Sequence, residues 1–241
     1  MASPIFQDPG AIHPDLWLAS QLARSTARTI ATGYPSLDAE LPDHGWPIGA
    51  AIDLLCMQPG IGEMRLILPA LKTVSARPIF LLNPINPPNH PAFSYWGLKT
   101  DQITLLRAKS TADTLWAAEQ ALRNGSVGAL LLWRNRFRNE EIRRLNVAAA
   151  ASDTLLFLFQ PLYSKIQSSP AQLRLVLRPA PDGVDIDFIK RRGPTSDIPL
   201  RLALHPSPIL LAPRRTQVPI SAESQGPYTE ASTPTTSVAI Q

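Results

Sequence analysis

Between Ala50 and Phe159 short apolar runs alternate with stretches of helical spacing. Ala50–Leu55, Pro78–Leu82, Ile103–Arg107, Val127–Trp133 and Thr154–Phe159 have the length and apolar continuity of strands buried on both faces. Val127–Trp133 is apolar throughout, which predicts a central place in the sheet. Gly62–Ala76 carries Leu66, Ile67, Leu71 and Val74 near helical spacing, and Pro69 counts against an unbroken helix and predicts a kink there. Ser110, with Asp113 three residues on, opens a helix that Gly125 stops after Asn124. Asn139 is placed to cap a helix running to about Ser152. Strands alternating with helices predict an α/β fold: a mostly parallel sheet with helices on its faces.

Beyond Pro161 the pattern changes. Leu173–Leu177, Val184–Ile189 and Pro199–Leu204 are strand-like, and Asp182-Gly183 between the first two is a hairpin turn pair. These three predict an antiparallel C-terminal extension of the sheet. His13–Arg28 reads as a short helix with Pro14 in its first turn. Thr32–Gly49 is turn-rich. From His205 to Gln241 the chain is rich in Pro, Ser and Thr and lacks periodicity, which predicts a disordered tail. The expected organisation is an N-terminal segment over 1–29, a core over 30–204 and the tail over 205–241.

Composition adjusts this picture only slightly. The apolar fraction of 44% is ordinary for a globular core, and the 25 prolines are about twice the usual share. No stretch approaches the roughly 18 apolar residues of a membrane span, and the first residues lack the pattern of a secretory signal. A cytoplasmic protein with no membrane contact is expected. A single cysteine, Cys56, excludes an internal disulfide and a Cys-rich zinc site, and reads as a small buried apolar residue. His44 and His90 stand apart in loops, so no metal site is expected. A net charge of +4, mostly from arginine, permits contact with phosphate without requiring it.

The sharpest local feature runs from Leu54 to Leu66 and joins an expected strand to an expected helix, where a phosphate-binding loop belongs. A working loop reads G-x-x-x-x-G-K-[ST], with the lysine on the β/γ-phosphates and the hydroxyl on Mg²⁺. With Gly62 as the second glycine, Glu63 takes the lysine position and Met64 the hydroxyl position. Cys56 stands for the first glycine with one residue too many, and Pro59 and Gly60 lie between. A carboxylate facing a triphosphate costs roughly 4 kcal/mol at screened surface dielectric, enough to oppose binding itself. Spacing alone fits an ordinary glycine turn as well. The apolar strand Val127–Leu132 ends in Trp133-Arg134, with no acid to sit near Mg²⁺. Glu140 and Glu141 follow on the next helix and read as a solvated helix start.

Two stretches resemble the core of the RecA recombinase. One is Thr32-Gly33-Tyr34-Pro35-Ser36-Leu37-Asp38 with Gly45-Trp46-Pro47-Ile48-Gly49. The other is Gly97-Leu98, Ile103–Leu106 and Ala118–Gly125. The ordered set Gly45–Gly49, Pro59–Leu66, Leu68–Leu71, Leu115–Arg123 and Lys190-Arg191-Arg192-Gly193 more closely resembles the ImuA family of RecA-related proteins. That resemblance spans about residues 30–195, and Pro59-Gly60-Ile61-Gly62-Glu63 is its most specific part. It implies a RecA-like fold and a non-enzymatic, cofactor-free accessory role in the bacterial SOS response to DNA damage. The partners it implies are an ImuB-like protein and a specialised C-family polymerase in error-prone translesion synthesis. The family is related to the division inhibitor SulA, so inhibition of the tubulin-like division protein is the alternative. An active RecA-type ATPase is a third reading, opposed by Glu63 and Trp133.

Single-stranded DNA is a candidate ligand. Arg134, Arg136 and Arg138 alternate along the segment after the central strand. Phe137 lies among them, positioned to stack a base. A solvated basic loop explains them equally simply. Lys190, Arg191 and Arg192 are a second candidate contact for DNA or an acidic partner. The short stretch Gln160–Ser169 argues against long DNA-gripping loops of the RecA type. Trp46 and Trp96 read as packing residues, and Trp116 is a candidate interface residue.

Overall fold

The computed structural model describes residues 28–193 and 198–204. The helix expected over His13–Arg28, except its last residue, and the tail expected from His205 lie outside the described residues. In chain order the elements are β1 (Thr29–Ile30), α1 (Pro35–Glu40), β2 (Trp46–Pro47), β3 (Ala51–Cys56), α2 (Glu63–Val74), β4 (Ile79–Leu82), α3 (His90–Tyr95) and β5 (Ile103–Leu106). They continue with α4 (Thr111–Asn124), β6 (Ala129–Trp133), α5 (Asn139–Ala150), β7 (Leu155–Pro161), β8 (Leu173–Ala180), β9 (Gly183–Lys190) and β10 (Leu200–Ala203).

β3 to β10 form an eight-stranded sheet in the order β10-β9-β8-β3-β7-β6-β4-β5. All pairings from β5 across to β8 are parallel, and β9 and β10 add antiparallel pairings at one end. The expected antiparallel extension is therefore one strand shorter than its sequence suggests. β8 lies parallel to β3, with Asp53 opposite Arg174, because the chain crosses from β7 to β8 rather than turning back as a hairpin. The hairpin between β8 and β9 turns at Pro181-Asp182, and Gly183 is already the first residue of β9.

Alternation along the strands divides the core between two faces. Ala129, Leu131 and Trp133 of β6 join Leu155, Phe157 and Phe159 of β7 beneath α2, while Leu130, Leu132, Leu156 and Leu158 face α4 and α5. β9 alternates instead. Val184, Ile186 and Phe188 are buried, while Asp185 and Asp187 lie half-buried on the other face and pair with Arg201 and Arg178. One wet face is what an antiparallel margin permits.

α2 is one continuous helix from Glu63 to Val74 with Pro69 inside it, although proline counts against an unbroken helix. A proline removes the helical partner of the carbonyl four residues earlier. Here that carbonyl, on Arg65, accepts a hydrogen bond from the Tyr34 hydroxyl at 3.0 Å. Gly33 brings the chain in with φ of +85°, and a Cβ there would stand 2.4 Å from Pro69 Cβ. The segment before the sheet thus closes the gap that Pro69 opens.

Candidate functional site

The loop Met57–Gly62 leaves the end of β3 and turns into α2 at Gly62, whose φ of +116° favours glycine. Glu63, the first helical residue, does not face outward towards a ligand. Its Oε1 accepts from the Gly60 N–H at 2.8 Å and its Oε2 from the Gly62 N–H at 3.1 Å. The side chain is buried. Backbone N–H groups gathered at a helix start form an anion-binding nest. In this loop the chain supplies its own carboxylate to two of them. The expectation from sequence was repulsion of a phosphate; the geometry adds occupation of the donors that would hold one.

Cys56 ends β3 and is buried. Burial, with the nearby carboxylates of Glu63 and Asp53, pushes its thiol up to about 12, so it is protonated at neutral pH. Pro59 and Gly60 are exposed in the loop, and Met64 packs half-buried against the core.

Across from the loop, at the C-terminal end of β6, Trp133 stacks on Phe159 with centroids 4.5 Å apart and planes 7° from parallel. Arg134 turns back to Glu141 at 3.1 Å, and its guanidinium lies 5.0 Å from the Phe137 ring centre. Glu141 is buried rather than solvated as a helix start should be. It accepts from the Arg138 N–H at 2.8 Å, from Arg134 and from Arg138 Nε. Burial raises its pKa, but the Arg138 N–H and the two guanidinium groups outweigh that and hold it below the usual range. Glu141 also corrects the expected cap: Arg138 takes the N-cap position and Asn139 is the first helical residue.

Phe137 is 4% exposed and its N–H donates to Gln160, so its ring is not presented to a base. Arg136 is exposed and donates to Gln167 at 3.1 Å, while Arg138 is exposed beside Glu141. Lys190 donates to the Ser169 carbonyl at 2.9 Å. Arg191 is largely buried, paired with Glu40 at 2.7 Å and set over Phe188. Arg192 is exposed. Lys190 closes β9 opposite Arg174 near the start of β8, whereas Arg134 follows the end of parallel β6. Both clusters nevertheless border the crossover before β8, where Arg136 reaches Gln167 and Lys190 reaches Ser169.

A buried polar centre escaped the sequence reading. Asp53 accepts from Arg174 Nε at 2.9 Å and from Gln160 Nε2 at 2.7 Å. Arg174 also donates to the carbonyls of Ser164 at 2.6 Å and of Gln167, in the segment after β7. Burial pushes the Asp53 carboxyl up, and Gln160 and Arg174 pull it back part of the way. The available signal was one charge inside each of two apolar runs, Ala50–Leu55 and Leu173–Leu177. Charges are rarely so placed unless paired.

Between the loop and Trp133 lies a cleft of two lobes, of about 290 and 350 Å³, which share Pro59, Glu63, Ile85 and Trp133 as walls. It sits outside the C-terminal ends of the parallel strands, the usual ligand position in open α/β sheets. Among the described residues no group of His, Cys, Asp and Glu is placed to hold a metal, and no helix is long and apolar enough to cross a membrane. The chain matches no protein-family model and no curated protein.

Proposed function

We propose that this protein is a RecA-like, non-enzymatic accessory of error-prone translesion synthesis. It would act in the bacterial damage response as an adaptor between an ImuB-like partner and a specialised C-family polymerase. The observation that carries the non-enzymatic part is the Glu63 carboxylate, bound to the amides of Gly60 and Gly62 where a phosphate would otherwise sit. Two further features support it. Trp133 and Arg134 end the strand that would need an acid for Mg²⁺, and Arg134 is engaged by Glu141. The adaptor part rests on the ordered motifs from Gly45 to Gly193 that resemble the ImuA family. A rigid parallel sheet is a suitable scaffold for presenting contacts.

Three measurements test the reading. The purified full chain should hydrolyse no ATP above a protein-free control. Deleting its gene should lower damage-induced mutation frequency, and overexpressing it should leave cell length unchanged. Hydrolysis that disappears on substituting Glu63 overturns the non-enzymatic part. Filamentation with unchanged mutation frequency moves the protein to the division-inhibitor alternative.

A further inference from the structure

The two-lobed cleft has a chemistry that differs from a nucleotide site. Glu63 and Arg134 are the only charged side chains lining it among the described residues, and both are spent internally. An anion entering the cleft meets an arginine already paired with Glu141, and a cation meets a buried carboxylate whose two oxygens already accept the Gly60 and Gly62 N–H groups. The charge-complementary occupant is neutral. The walls are strongly apolar. Trp133 on Phe159 floors one lobe, and Phe93 with Trp96, edge to face at 5.9 Å, lines the other. Lobes of this size fall at or near the lower end of the range for ligand pockets, about 300–1,000 Å³.

Two observations favour a chain segment over a small molecule. First, apolar surface continues outside the lobes: Met57 is 54% exposed and Ile85 60% exposed, both on the lining. Apolar surface that is continuous with an apolar pocket and rimmed by polar groups is a feature of interaction sites, and methionine adapts to varied partners. Second, the side-chain amides of Gln58, Asn86 and Asn135 border the lobes, are exposed, and make no hydrogen bond among the described residues. Each offers a donor pair and an acceptor, the set that matches peptide N–H and C=O groups.

We propose that this cleft is a docking site for an extended, uncharged segment of a partner protein. The segment seats an apolar or aromatic side chain in each lobe and lays its backbone against Gln58, Asn86 and Asn135. The proposal deepens the adaptor reading by placing one partner contact on the side of the molecule where a nucleotide would have bound.

The test uses the full chain as bait for phage-displayed random dodecapeptides. Enriched sequences should lack charge and carry two apolar or aromatic residues. A synthetic peptide of that consensus should bind Ile85→Glu and Met57→Glu proteins at least tenfold more weakly in calorimetry. It should bind Trp116→Glu, on a different face, as it binds the wild type. Both Ile85 and Met57 are largely exposed, so far-UV circular dichroism should match the wild type for each variant.

A library that enriches nothing, or only charged sequences, overturns the proposal. Peptides indifferent to Ile85→Glu and Met57→Glu overturn it too, as does displacement of the peptide by ATP at equal concentration. A consensus that matches a stretch of this chain's own sequence assigns the cleft to the chain itself, in one copy or two, and overturns a separate partner. Peptide binding that obeys the variants, with mutation frequency unchanged in the Ile85→Glu strain, keeps the site and fails the adaptor reading instead.

Discussion

Glu63 takes its two hydrogen bonds from the loop it follows, and that sets what its removal does. Hydrogen bonds to a charged group contribute roughly 1.5–3 kcal/mol. Glu63→Ala should therefore lower stability by about 1–3 kcal/mol, read as a lower urea midpoint with an unchanged slope. It should not produce ATP hydrolysis, since Met64 still supplies no hydroxyl and Trp133 no carboxylate. A variant as stable as the wild type would show that the loop does not depend on the clasp. The residue itself was conspicuous in the sequence as an inverted charge. Its direction was not, because a helix-start carboxylate can face outward or fold back, and only the positions of Gly60 and Gly62 choose between them.

At the scale of single elements, α2 tolerates Pro69 because a residue outside the helix completes it. Tyr34→Phe removes only the hydroxyl and leaves the Arg65 carbonyl without that donor, which should cost about 1–2 kcal/mol in denaturant unfolding. No loss would mean that solvent already satisfies the carbonyl. Proline marked the weak point in the sequence. The remedy was not legible, since Tyr34 lies 31 residues away and nothing local signals the pairing.

The start of α5 carries a pH dependence. The Glu141 pKa is held below its ordinary value of 4.5, so the folded state binds its proton less readily than the unfolded chain does. Its contribution is complete above about pH 4.5 and fades as the pH falls through the lowered value. Asp153 beside Arg28 and Asp185 beside Arg201 act in the same direction. Stability measured by urea midpoint should fall from pH 5.5 to pH 3, and Glu141→Gln should flatten that fall while being less stable at pH 7. An equally steep fall in the variant would assign the acid sensitivity to the other carboxylates.

On the scale of the whole molecule, Asp53 and Arg174 bind the central strand β3 to β8, the strand that leads into the antiparallel margin, and Arg174 also braces the segment after β7. Leaving one buried charge without its partner costs about 3–5 kcal/mol, whereas replacing both by apolar residues of similar volume is often neutral. Asp53→Ala should accordingly destabilise far more than the double variant Asp53→Leu/Arg174→Met, with both compared by thermal unfolding. Equal losses would mean that the arginine's contacts with Ser164 and Gln167 matter more than its pairing with Asp53.

Apolar runs and their spacing, by themselves, determined the order of the strands from Ala50 to Ala203, three of the four helices among them and the parallel character of the sheet; the short helix His90–Tyr95 gave no such signal. Those follow from local periodicity and from residue types at adjacent positions. Tertiary structure decided that β8 runs parallel to β3, that Phe137 is buried, that both basic clusters reach the crossover before β8, and that Glu63 fills its own loop. Each of these depends on which distant residue arrives alongside, and burial and hydrogen-bond satisfaction settle that only once the whole chain is packed.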